Sequence, residues 1–243
     1  MTTQSSEMVK RRGAGIRRPP GHRYSAWEWI SGYLMWIAVL PLYVGLWAFA
    51  RVYKRVPNWL LRKLLREHHR HIESRKYDVR IPFDPSIPPY MLRWWRIKKN
   101  AFFNIYYHIV RRSDEDRALH DHPWWNFSIV LVGGYYEHCI NAGGVHTRTY
   151  YEPGAVRFRR SGTFAHRLEL ERYGPNAYPM VQGEEIPVHT IFITGPTLRR
   201  WGFHHPERWV DAYEWDDFCE EKGLATNMRM AGYAEQQPQG TTQ

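Results

Sequence analysis

Residues 119–134 read LHDHPWWNFSIVLVGG, two histidines one residue apart, an apolar run, and then a pair of glycines. On an extended strand, successive side chains alternate between faces, so His120 and His122 project from the same side. Carrying that parity forward puts Trp124, Asn126, Ser128 and Val130 on the same face, which is taken as the inward one. Working outward, NAFFNIYYHIV (100–110), TRTYYEPGAVRFRR (147–160) and HTIFITGP (189–196) are also short apolar or alternating runs bounded by turn residues. Helical periodicity is weak beyond residue 100, and the pattern predicts an all-β sandwich or barrel. Gly133-Gly134 and Ala142-Gly143-Gly144 are read as its tight turns.

Two imidazoles on one strand face can reach a common ion at about 2.0–2.1 Å. His-x-His on its own is a weak signal, and what sharpens it is a resemblance to the first motif of the cupin superfamily, in which an acid and then a glycine follow at fixed offsets. In this chain Asn126 stands where an acid would complete the motif, and Gly133 comes in register after it. A second motif, looser, runs from Gly154 to His166, with Arg160 at a proline position and Leu170 at the terminal Asn position.

The two motifs resemble those of the cupin superfamily, and the segments 102–125 and 194–209 look like a group of bacterial and bacteriophage cupin-like proteins. The resemblance implies a mainly β, cupin-like (double-stranded β-helix or jelly-roll) barrel, with His166 as third metal ligand beside His120 and His122. It also implies a divalent metal cofactor, Fe(II) first and Zn, Mn or Ni as alternatives. Replacing the acid by Asn126 removes an obvious general base. It leaves a neutral three-histidine set with net charge +2 on the ion and open positions for an anionic substrate and O₂. Thiol dioxygenases of the superfamily are similar in this respect. Histidines satisfied by hydrogen bonds in a metal-free barrel are the competing reading.

Around this centre the sequence offers further candidates. Asn126 is placed beside the ion, His204 is a candidate fourth ligand or acid/base in WGFHHP (201–206), and Arg199 and Arg200 are candidate clamps for a carboxylate or phosphate. Arg157 and Arg159 alternate on one strand and offer a second such pair, with solvated strand-edge charges as the alternative.

The chain's formal net charge of +10 lies in its first 75 residues, and residues 76–243 are neutral overall. That partition argues against a nucleic-acid-binding face on the barrel and for a basic segment near anionic phospholipid. Trp29 to Ala50 is a 22-residue run without a charge, long enough at 1.5 Å per residue to cross a bilayer. It predicts a single-pass helix flanked by interfacial aromatics and kinked or briefly re-entrant at Pro41. A buried helix of a soluble fold and a cleaved signal sequence at Ala48-Phe49-Ala50 are the alternatives. Basic residues flank both ends, so the positive-inside rule leaves the side of the membrane open, with the cytoplasm slightly favoured.

Asn58 onward predicts a basic amphipathic helix whose Trp59, Leu60, Leu61, Leu64, Leu65 and Ile72 lie on the membrane surface, with His68, His69 and His71 on its polar face. The domains expected are a disordered basic N-terminus (1–26), a transmembrane segment (27–53), the juxtamembrane helix (54–76), a separable metal-binding domain (77–233) and a disordered tail (234–243). RIPFDPSIPPY (80–90) is the stiff connector into the domain. Cys139 and Cys219 are read as buried small hydrophobes. Two function classes result: a membrane-tethered metalloenzyme, read as an Fe(II) dioxygenase acting on a small or membrane-proximal anion, and a non-enzymatic ligand- or partner-binding module on the same tether.

Overall fold

The computed structural model describes residues 26–82, 85–114, 118–160, 164–175, 179–197, 199–212 and 214–224. The expected disordered ends, 1–26 and 234–243, lie outside them except for Ala26, which begins a helix. Two helices come first, α1 (Ala26–Val52) and α2 (Asn58–Ser74). The strands β1 (Val79–Ile81), β2 (Met91–Trp95) and β3 (Asn104–Val110) come after them. Next are β4 (Leu119–His120), β5 (Asn126–Val132), β6 (Tyr135–Ile140), β7 (His146–Tyr151), β8 (Val156–Arg159) and β9 (Arg167–Leu170). The chain continues through β10 (Val188–Thr194), β11 (Gly202–His204) and β12 (Trp209–Asp211) to a short helix α3 (Trp215–Glu221).

One layer is a six-stranded antiparallel sheet in the order β1-β2-β3-β10-β5-β8. The other is made of two three-stranded pieces, β7-β6-β9 and β12-β11-β4, joined where His120 and His166 bridge antiparallel. Ile81, Val110, Val130 and Val188 from the first layer pack with Tyr135 and Leu170 from the second, so the layers face each other across a shared core. The chain is thus mainly β, as its patterning requires. Gly133-Gly134 does not close a hairpin. It carries the chain from β5 in one layer to β6 in the other, and Gly133 has φ 68°, with the Pro187 carbonyl only 2.6 Å from where a Cβ would stand. Both the left-handed backbone and the close approach suit glycine alone.

β5 is buried along almost its whole length because both of its faces are covered. Its inward side chains meet the opposite layer, while Phe127, Ile129 and Leu131 turn outward with Trp94, Tyr107, Val156 and Ile191. Over this outer face lie α2, through Leu60, Leu61, Leu64, Leu65 and Ile72, and the end of α1, through Leu46, Phe49 and Ala50. The apolar face of α2 expected on a bilayer is therefore covered by the sheet. Amphipathic periodicity reports that a face is buried and is silent on what buries it.

Residues 54–76 accordingly share the core of the β domain. Lys54 and Val56 also exchange backbone hydrogen bonds with Val156 and Gly154 at 2.9 Å, covering the open edge of β8. His68, expected on a polar face, is fully buried: its Nε2 lies 2.8 Å from His189 Nδ1, and its ring stands edge-on to Tyr107. Helix α1 runs unbroken through Pro41 in place of a re-entrant break, and Leu34–Val52 is long and apolar enough to cross a membrane. Cys139 and Cys219 are both buried.

Candidate metal centre

His120 and His166 are direct cross-strand neighbours. Each donates its backbone N–H to the other's carbonyl at 2.9 Å, a hydrogen-bonded antiparallel pair whose side chains leave the same face side by side. His122, two residues on, returns to that face. One ligand nitrogen from each of the three rings lies within 4.8 Å of the others, and the Nε2 atoms of His122 and His166 are 2.9 Å apart. The three residues named from strand parity and motif spacing are therefore brought together.

Two buried carboxylates hold the outer edges of these rings. Glu137, on β6 and 2% exposed, accepts from His166 Nδ1 at 2.7 Å. Asp114 lies 3.4 Å from His120 Nδ1 and is itself held by the Leu168 N–H at 2.7 Å and by the Tyr90 hydroxyl. With Nδ1 turned to a carboxylate, His120 and His166 are left with Nε2 for the shared centre, the arrangement by which proteins orient metal-binding imidazoles. Burial, reinforced by neighbouring imidazoles and arginines, holds His122 and His166 well below the usual histidine pKa. His122 and His166 are thus neutral, and the three-imidazole donor set fits one divalent ion.

The centre opens into a cavity of about 140 Å³ between the layers, lined mostly by aromatic and aliphatic side chains. Trp124 and Ser128 line it as the parity argument requires, with Phe192 and Thr190 of β10 beside them. Two arginines also line it. Arg159 is buried and neutralised, pairing with Glu137 alongside Arg157, whose Nη2 lies 2.8 Å from the same carboxylate. Arg93, on β2, donates Nε–H to His108 Nε2 at 2.9 Å and rests over the Tyr106 ring, 4.7 Å from its centroid. Burial, with Arg93 and His122 adding to it, keeps His108 well below the usual histidine range, so Arg93 leans on a neutral acceptor. No carboxylate pairs with Arg93 among the described residues.

The other four candidates are placed elsewhere, and none of them lines the cavity. Asn126 is buried behind Arg159, which reaches its Oδ1 at 3.4 Å. His204, Arg199 and the Trp209 indole converge on Asp121, the residue between the two ligand histidines, at 2.8, 2.6 and 3.1 Å. Strand alternation turns Asp121 away from the centre, so its partners gather behind the metal-facing surface. Burial alone would raise that carboxyl, but His204, Arg199 and the Gly202 N–H outweigh it and hold it below the usual carboxylate range. Arg200 pairs with Asp211 at 2.5 Å. Glu137 was legible in principle as an acid at an inward position of an otherwise apolar strand. Asp114, Arg93 and His108 gave no such sign.

No protein-family model matches the chain, and no curated protein matches it. Among solved structures it is similar to an RmlC-like cupin protein from Ralstonia eutropha, with 13% identity over 62% of this chain and 88% of that one, TM-score 0.34. It is also similar to a DMSP lyase from Ruegeria pomeroyi, 13% identical over 56% of this chain and 64% of that one, TM-score 0.37. The match to oxalate decarboxylase from Bacillus subtilis has 10% identity over 56% of this chain and TM-score 0.32, and spans about a third of that chain, 32%. At these identities the likeness is one of general architecture, and the chemistry of the centre comes from its own side chains.

Proposed function

We propose that this is a membrane-held, cupin-like metalloprotein in which His120, His122 and His166 bind one divalent ion, Fe(II) in the first place. The activity proposed is that of an oxygenase acting on a small anionic substrate. The observation that carries the reading is the convergence of three imidazole nitrogens on one centre, with buried carboxylates beside Nδ1 of two of the rings. An ion held there would keep its full double charge and open positions, and would supply Lewis acidity and, as iron, O₂ chemistry.

The chain's own residues bear on what reaches it. The cavity, walled mostly by apolar side chains, is about the size of an engineered cavity that admits benzene, roughly 150 Å³. Arg93 is the cavity's one arginine without a carboxylate among the described residues, and stacking on Tyr106 and bonding to His108 fix its plane. A carboxylate or similar oxyanion on the substrate would complete it, forming the charge-assisted pair that its remaining N–H groups lack. The arginine clamp expected at 199–200 is thereby reassigned to β2.

The test is elemental analysis of full-length protein purified anaerobically in detergent, beside His120→Ala, His122→Ala and His166→Ala. About one divalent ion per chain is expected in the wild type, iron if the oxygenase reading holds, with most of it lost in each variant, because two histidines compete poorly with water. Asn126→Ala should keep its metal. A folded wild type that takes up no divalent ion, or variants that retain it, would overturn the reading in favour of a binding module without metal.

A further inference from the structure

We propose that α1 does not cross the bilayer but lies in its surface, pressed between the lipid and the β domain. The inference rests on the membrane part of the proposed function and changes how the membrane is met. From Val39 to Ala50, one side of α1 is packed on protein. Tyr43 stands edge-on to Trp125 and Phe158, with centroids 5.5 and 5.2 Å away, Phe49 meets Phe127 at 6.2 Å, and Val39 and Ala50 are 3% and 8% exposed. These eleven steps cover about 16 Å, half of the roughly 30 Å hydrocarbon layer. If that stretch crossed the bilayer upright, the edge of β8 beside it would be drawn in as well. The Arg55–Glu152 pair and the backbone strap at 54–56 would go with it. Lipid tolerates neither irregular backbone nor surface ion pairs at that depth.

The opposite side of the helix is apolar and open. Leu34, Ile37, Leu40 and Val44 are 57, 51, 47 and 47% exposed, and helical spacing puts them along one stripe. Charge identifies the occupant. α1 and α2 cover the same outer face of the six-stranded sheet, so their free sides look the same way. Beside the apolar stripe that surface carries Arg51, Lys54, Arg62, Lys63 and Arg66, all exposed, together with Tyr53 and Trp59, 48 and 68% exposed. An apolar stripe edged by lysines, arginines and interfacial aromatics matches the headgroup boundary of an anionic phospholipid bilayer. In this pose the barrel sits on the membrane as a fixed body instead of swinging on a leash.

The experiment places single spin labels at Ile37→Cys, Val44→Cys and Ala48→Cys in the full-length protein, bound to vesicles of phosphatidylcholine and phosphatidylglycerol. The native Cys139 and Cys219 are buried, and unmutated protein serves as the labelling control. These three positions share one helical face. Depths from oxygen and nickel-chelate relaxation should be alike, all within about 5–10 Å of the headgroup boundary. Val44→Glu should weaken vesicle binding about tenfold, and binding should fall with added salt. A depth that changes by about 16 Å between positions 37 and 48 would overturn the surface pose while leaving membrane attachment intact. Labels that stay aqueous, with light scattering reporting a dimer, would overturn the membrane as occupant and name a second copy instead.

Discussion

Replacing Glu137 by Gln tests how the centre is held. The wild-type carboxylate accepts from His166 Nδ1 at 2.7 Å and from Arg157 at 2.8 Å, and pairs with Arg159, whose side chain is 4% exposed. Gln keeps the shape and one acceptor oxygen, but it removes the charge and turns an NH₂ toward donors. Removing one partner of a buried ion pair costs about 3–5 kcal/mol. Because an acceptor remains, the lower end, roughly 3 kcal/mol, is expected, a loss of about 6–12 °C in the melting temperature for a domain of this size. The same change frees the His166 ring to rotate, and loss of such an orienting partner weakens metal binding by about 10–100-fold. Calorimetry of the metal-free protein reads the first effect, and competition against a chelator at a temperature where both proteins are folded reads the second. A Gln variant that binds metal within twofold of the wild type would refute the orienting role, whatever its stability.

Two further outcomes are expected from the geometry. Buried under α2, His68 and His189 have pKa values pulled down to about 3 and about 4 by burial first and then by neighbouring imidazoles. Both folded values lie below the unfolded one near 6.5, so stability is fully present above pH 6.5 and is lost as pH falls toward 4, where only the unfolded chain takes up these protons. Thermal melts across that window should show the decline, and His189→Gln should flatten it; an equal slope in the variant would mean other groups carry it. Arg93→Gln should weaken binding of benzoate, a small carboxylate probe, to metal-loaded protein by at least tenfold with metal content unchanged. Isothermal titration decides this, and unchanged benzoate binding would remove Arg93 from the substrate site.

Period-two alternation was enough to determine the β class and, within β5, the inward position of Ser128, because a strand's side-chain direction is a local property of the backbone; His122 and Trp124 lie between β4 and β5, so they face the centre through the path of that connection. An uncharged run is equally local, so a helix long enough to cross a membrane was legible in Trp29 to Ala50. His166 was within reach only through motif spacing. Its place opposite His120 depends on a single bridge between strands 46 residues apart. The partners that turn three histidines into a centre, Glu137, Asp114, Arg93 and His108, come from strands that meet only when the two layers close, and no local pattern encodes such meetings. For the same reason Asn126, His204, Arg199 and Arg200 were assigned to a cavity they do not line: Asn126 is buried behind Arg159, His204 and Arg199 are drawn to Asp121, and Arg200 pairs with Asp211. The cover over an apolar face was also left to tertiary structure. The periodicity of α2 is the same for a bilayer as for a sheet, and packing chose the sheet because Phe127, Ile129 and Ile191 present a second apolar face that only the folded barrel creates.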